Sequence, residues 1–140
     1  MRPAFVTDAS VAIAWVHPSQ ATPETVAMLE SVAEGAALEV PALWPLEVAN
    51  ALLVLVRRGR LEEDERQAAL GWLQRLPLRI DPDAAALAFS RLSELADTHE
   101  LSTYDAAYLE LAQRKGLALA SKDASLRKAA KRAGVRLWSS

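Results

Sequence analysis

Four acidic residues stand where helices are predicted to begin: Asp8 after an N-terminal apolar run, Glu47 in the first turn after Pro45, Asp105 after Ser102, and Asp123 after a later apolar run. Each has a local structural reading. Asp8 and Asp123 are of the type that caps helices, Ser102-Thr103-Tyr104-Asp105 fits a capping box, and Glu47 complements the positive end of a helix dipole. Convergence is the rival reading. Two carboxylates about 4 Å apart repel by roughly 4 kcal/mol at an effective dielectric of 20, so acids gathered in one pocket must take up protons or bind a cation. The chain has no Cys and only His17 and His99 beside its acids, so a metal would meet oxygen ligands, which suit Mg²⁺ or Mn²⁺ rather than zinc. One or two such ions would polarise a phosphate and lower the pKa of a bound water for in-line attack, with no side-chain nucleophile required.

The neighbours of these acids fit a hydrolytic site. Asn50 follows Glu47 by three residues on the same helix face, where its amide would orient a carboxylate, a water or a phosphate. Ser10 and Ser121 lie two residues from Asp8 and Asp123, and Thr103 two before Asp105. Their hydroxyls serve either as helix caps or as hydrogen-bond donors to the acids. Charge is segregated along the chain. Residues 113–140 hold eight of the 16 basic residues and a single acid, against a net charge of −2 overall. Lys122, Arg127, Lys128, Lys131 and Arg132 in that basic end are candidates for gripping a phosphate backbone, the alternative being a solvated amphipathic helix.

The elements that must position these residues alternate. Short apolar runs at Ala4 to Val6, Leu38 to Val40, Leu78 to Ile80, Leu117 to Ala120 and Val135 to Trp138 read as strands. Between them lie helical stretches: Ser10 to Val16, Pro23 to about Ala33, Pro45 to Arg58, Glu62 to Leu76, a run opened by Asp81-Pro82 and reaching Thr98, Ser102 to Gly116, and Asp123 to Gly134. Strands alternating with helices imply right-handed βαβ units, hence an α/β/α three-layer domain with a mostly parallel sheet of about five strands. Ligands in such folds sit beyond the carboxyl ends of the strands.

A length of 140 residues predicts one domain over residues 1–140. Hydrophobic residues at 51% and charged residues at 24% predict unaided folding, which excludes a disordered tract. The lack of Cys fits a reducing compartment, with the cytoplasm as the default. Arg2, an apolar stretch and Ala12-Ile13-Ala14 imitate a secretory leader, but Asp8 falls inside the would-be apolar region, and no run of about 18–20 apolar residues could span a bilayer. No membrane association is expected. The helix from Pro45 to Arg58 is apolar on most sides through Val48, Leu52, Leu53, Leu55 and Val56, which suits either a central position or an interface.

Four blocks together carry a resemblance: Asp8-Ala9-Ser10, Glu47-Val48-Ala49-Asn50, Thr103-Tyr104-Asp105-Ala106-Ala107-Tyr108, and Ser121-Lys122-Asp123-Ala124-Ser125-Leu126. In order and spacing they resemble the PIN domain, specifically the VapC-type toxin ribonucleases. The resemblance implies a PIN-like parallel-sheet fold and endoribonuclease activity dependent on Mg²⁺ or Mn²⁺, with Asp8, Glu47, Asp105 and Asp123 as catalytic metal ligands. It also implies inhibition by a VapB-type antitoxin and frequent homodimers. Some relatives carry a further acid where this chain has Ser125, and Ser121 stands where threonine is common. Two other classes remain open: a phosphate-handling receiver-like domain, although no acid ends the Leu38 to Val40 run, and a non-catalytic binding domain whose acids only cap helices.

Overall fold

Three consecutive apolar or β-branched residues make β1 (Phe5–Thr7), and Asp8 ends it by turning its side chain onto the backbone of the helix that follows. In the computed structural model, which describes residues 3–140, that helix is α1 (Ala9–Val16). Arg2, part of the leader-like pattern, lies outside the described residues. A single 3₁₀ turn (Pro18–Gln20) leads to α2 (Pro23–Ala33), where Thr22 and Thr25 cap each other reciprocally and Pro23 fills the first helical position. Then come β2 (Leu38–Pro41), α3 (Trp44–Arg57), α4 (Glu63–Leu73) and β3 (Leu78–Asp81). The chain ends with α5 (Ala84–Leu87), α6 (Ser93–His99), α7 (Thr103–Lys115), β4 (Ala118–Ala120) and α8 (Ala124–Arg132).

All four strands run parallel in the order β3-β2-β1-β4. Phe5 pairs with Leu38 and Ala118, so Thr7 and Asp8 stand at the carboxyl edge of an interior strand, beside Ala120 and Ser121. Helices cover both faces. Phe5, Leu38 and Ala120 pack with Met28 and Ala36 on one side, while Val6 and Leu119 join the larger core with Leu109, Leu126 and Ala129. This is the three-layer α/β/α fold with a parallel sheet.

The last expected strand, Val135 to Trp138, shrinks to one parallel bridge between Leu119 and Leu137. It is fixed by Leu119 N–H donating to Arg136 (2.9 Å) and Trp138 N–H donating to Leu119 (2.9 Å). Trp138 then packs its ring 5.9 Å from that of Phe5. The helical run after Asp81-Pro82 is also less regular than its sequence suggests, because a π-helical turn (Ala88–Leu92) separates α5 from α6.

α7 is the central helix. Every residue from Ala106 to Ala112 is buried, including Glu110. Burying that carboxylate is tolerable because Arg114 donates to both its oxygens (2.8 and 3.0 Å) and also grips Asp81 at the end of β3 (2.8 and 3.0 Å). The guanidinium holds the Asp81 carboxyl below its ordinary range. It thereby ties α7 to the β3 edge. Gly116 closes the helix in the left-handed conformation at φ 65°, which a side chain would strain.

Candidate active site

β1 and β4 end side by side, and two serines join their carboxyl edges. Ser10 donates to Asp8 Oδ1 (2.6 Å) and accepts from the Lys122 N–H (2.9 Å). Ser121 donates to Asp8 Oδ2 (2.5 Å) and accepts from the Asp123 N–H (2.9 Å). Both oxygens of Asp8 are therefore engaged by hydroxyls on opposite sides. Burial raises the Asp8 carboxyl above its ordinary pKa, these hydrogen bonds pull it back, and the neighbouring Asp123 raises it further.

Capping accounts for two of the four acids. Asp8 accepts from Val11 N–H, and Asp123 accepts from Ser125 and Leu126 N–H, in both cases through one oxygen. It does not account for the others. The cap of α7 is Ser102, whose hydroxyl accepts from Asp105 N–H (3.0 Å), so the Asp105 carboxylate is left over. α3 begins at Leu43 with no side-chain cap. Glu47 instead accepts from the hydroxyl of Tyr108 (2.5 Å), a side chain buried on α7. Tyr108 is a positioning residue that the motif contains but that sequence reasoning gave no role; its spacing from Asp105, one turn along the same helix, was the available signal.

The charges of the four acids act on one another. The Asp105 carboxyl is pushed from 3.8 up to about 6, first by burial, then by Asp123, Asp8 and Glu47 in turn. Glu47 is raised by burial and by Asp8, partly offset by the Tyr108 hydroxyl. Residues from four separate segments thus share one electronegative region at the carboxyl edge of the sheet. Among the described residues, however, no three acid or histidine side chains stand in an arrangement that could hold a metal ion as they are. The donor set suits a hard dication by its chemistry, since its carboxylates burden each other; its oxygens are not yet gathered around one point.

The remaining expected residues divide. Ser10 and Ser121 belong to the region through Asp8. Asn50, Thr103 and Lys128 are exposed on α3, α7 and α8. Lys122 turns its ammonium to the Gln20 carbonyl (2.6 Å), and Arg127 turns to Glu24 (3.4 Å) and the Ser121 carbonyl (3.2 Å). Lys131 and Arg132 are exposed, with Arg132 donating to the His99 carbonyl (3.2 Å). On α3, Val48 and Leu52 are buried, Leu53, Leu55 and Val56 are half-buried, and Leu46 is 74% exposed. No described helix is long and apolar enough to cross a membrane.

A parallel α/β/α sheet that brings acids from the caps of α1 and α8 and the first turns of α3 and α7 to its carboxyl edge defines a class of domain, and the comparisons agree with it. The PIN-domain sequence profile matches residues 5–132, and the chain belongs to the PIN-domain family. PAE2754 from Pyrobaculum aerophilum shares the fold at a TM-score of 0.68 and 22% identity, over 92% of this chain and 86% of that one. VapBC2 from Rickettsia felis, solved bound to a DNA fragment from their promoter, gives a TM-score of 0.67 at 11% identity, over 96% and 97% of the two chains. FitAcB from Neisseria gonorrhoeae gives 0.61 at 19% identity, over 96% of each. No curated protein matches the chain significantly.

Proposed function

We propose that this protein is a metal-dependent endoribonuclease acting as the toxin of a type II toxin-antitoxin pair, with Asp8, Glu47, Asp105 and Asp123 as the residues that hold Mg²⁺ or Mn²⁺. The observation that carries the reading is the gathering of four acids from separate segments at one sheet edge, two of them held there by the hydroxyls of Ser10, Ser121 and Tyr108 and a third, Asp105, raised by burial and then by the charges of the other three. A helix cap needs no such company. Acids that only terminate helices gain nothing from being brought within reach of each other.

When bound, the dication supplies positive charge to the scissile phosphate and a water of lowered pKa. The chain's own groups prepare for this. Ser10 and Ser121 hold both oxygens of Asp8, and Tyr108 holds Glu47, so two acids are oriented by hydrogen bonds. Asp105 is the acid whose charge has most to gain from a counter-ion. Asn50 and Thr103, exposed one turn from Glu47 and two residues before Asp105, are available to substrate, as are Lys128, Lys131 and Arg132. Lys122 and Arg127 contribute once released from Gln20 and Glu24.

The toxin role draws support from the motif resemblance and from fold likeness to structures named VapBC2 and FitAcB. It assigns a VapB-type antitoxin as partner, and the half-covered α3 is a surface suited to that antitoxin or to a second copy of the chain. The test is incubation with varied RNAs in Mg²⁺ or Mn²⁺, with chelator and Asp8→Asn controls. Cleavage that needs the metal and disappears in the variant is expected. Cleavage that persists in pure, folded Asp8→Asn protein overturns the assignment.

A further inference from the structure

The two tyrosines of this chain sit four residues apart on α7 and have opposite fates. Tyr108 is 1% exposed and reaches Glu47, whereas Tyr104 is 65% exposed. Residues at i and i+4 share a helix face, and side chains tilt toward the helix N-terminus. Tyr104 therefore stands one turn outward from Tyr108 on the side that faces Glu47, next in sequence to Asp105. It takes part in neither of the ring pairs of the structure, which join Phe5 to Trp138 and Trp15 to Trp72. Leu46, 74% exposed, precedes Glu47 in the first turn of α3 much as Tyr104 precedes Asp105 in α7.

Large side chains exposed next in sequence to mutually repelling acids cost solvation without adding to the core. The electronegative region formed by the four acids repels a polyanion, so a substrate bearing phosphates gains from neutral contacts beside it. A nucleobase is neutral and offers a π-face, and unpaired bases in RNA stack on aromatic side chains irrespective of sequence. Resting on the ribonuclease reading above, we propose that Tyr104 is the stacking platform for an unpaired RNA base flanking the cleaved phosphodiester.

The test uses short single-stranded RNAs carrying one 2-aminopurine, scanned along the strand, with Mg²⁺ and an Asp8→Asn background that blocks cleavage. Stacking quenches 2-aminopurine fluorescence. With Tyr104 present, quenching at a defined position is expected. Tyr104→Ala should abolish it and weaken binding about 5- to 150-fold, the change that about 1–3 kcal/mol of base stacking represents. Tyr104→Phe should keep both, and the melting temperature of all variants should match the parent because the side chain is exposed. Equal affinity and persistent quenching in folded Tyr104→Ala protein overturn the inference while leaving the ribonuclease reading intact. Tyr104→Leu performing as well as Tyr104→Phe also overturns it, because an aliphatic side chain offers no π-face for a base to stack on. RNA binding by none of the variants, the parent included, removes the ribonuclease reading and this inference together.

Discussion

Replacing Asp105 by Asn is expected to stabilise the protein at neutral pH. An acid whose folded pKa lies above its unfolded value prefers to keep its proton in the native state. As pH rises from 3.8 toward 6, the unfolded chain ionises first, and the native state loses stability until its own carboxylate has formed. A rise from 3.8 to about 6 at about 1.4 kcal/mol per pH unit sets a ceiling near 3 kcal/mol. Asp105 is only half-buried, so solvent screening reduces this to roughly 1–1.5 kcal/mol. Asn keeps the volume and the backbone bond to Ser102 but carries no charge. In urea unfolding, Asp105→Asn should therefore exceed the parent by about 1–1.5 kcal/mol at pH 7, or about 3–5 °C in Tm. The gain should vanish below about pH 3, where Asp105 is protonated in the folded and unfolded parent alike. Saturating Mg²⁺ should narrow it by stabilising the parent more. A variant less stable than the parent at pH 7, or a difference independent of pH, would refute the claim that burial and the neighbouring acids oppose ionisation of Asp105.

Two further substitutions probe the groups that orient the acids. Tyr108→Phe removes the donor to Glu47 and should cost about 1.5–2 kcal/mol in denaturant unfolding; if Glu47 depends on that bond, its pKa measured by NMR titration should also rise. Ser121→Ala removes the proton given to Asp8 and leaves the Asp123 N–H without its acceptor, so a loss of about 2–3 kcal/mol is expected. That loss should shrink in acid, where a protonated Asp8 no longer needs the donor.

What could be seen in advance was local. Thr22-Pro23 and Gly35 bracket α2, and Ser102 and Gly116 bracket α7, because caps and left-handed stops act within a few residues of themselves. The parallel sheet followed from alternation alone. α4 stops at Leu73 and a π-helical turn interrupts the run after Asp81, although Leu76 and Phe89 continue the apolar pattern: Leu76 packs against the core from beyond the helix, and Phe89 is fully exposed. Val135 to Trp138 has strand composition, yet its pairing with β4 is confined to the single residue Leu119. At the site, the acid types and spacings were readable; the hydroxyls of Ser121 and Tyr108 were not assigned their acids, because those partners lie 113 and 61 residues away. Nor does spacing reveal that Lys122 and Arg127 are occupied by Gln20 and Glu24.

The first and last strands of the sheet lie next to each other, and their ends are stitched by two serines. A ribosome adds Asp8 to the chain 113 residues ahead of Ser121. Until then that aspartate has no counterpart across the edge, and α8 does not exist to receive its cap. A polypeptide interrupted before position 121 therefore lacks one of the two serines that hold Asp8, however well its early helices form.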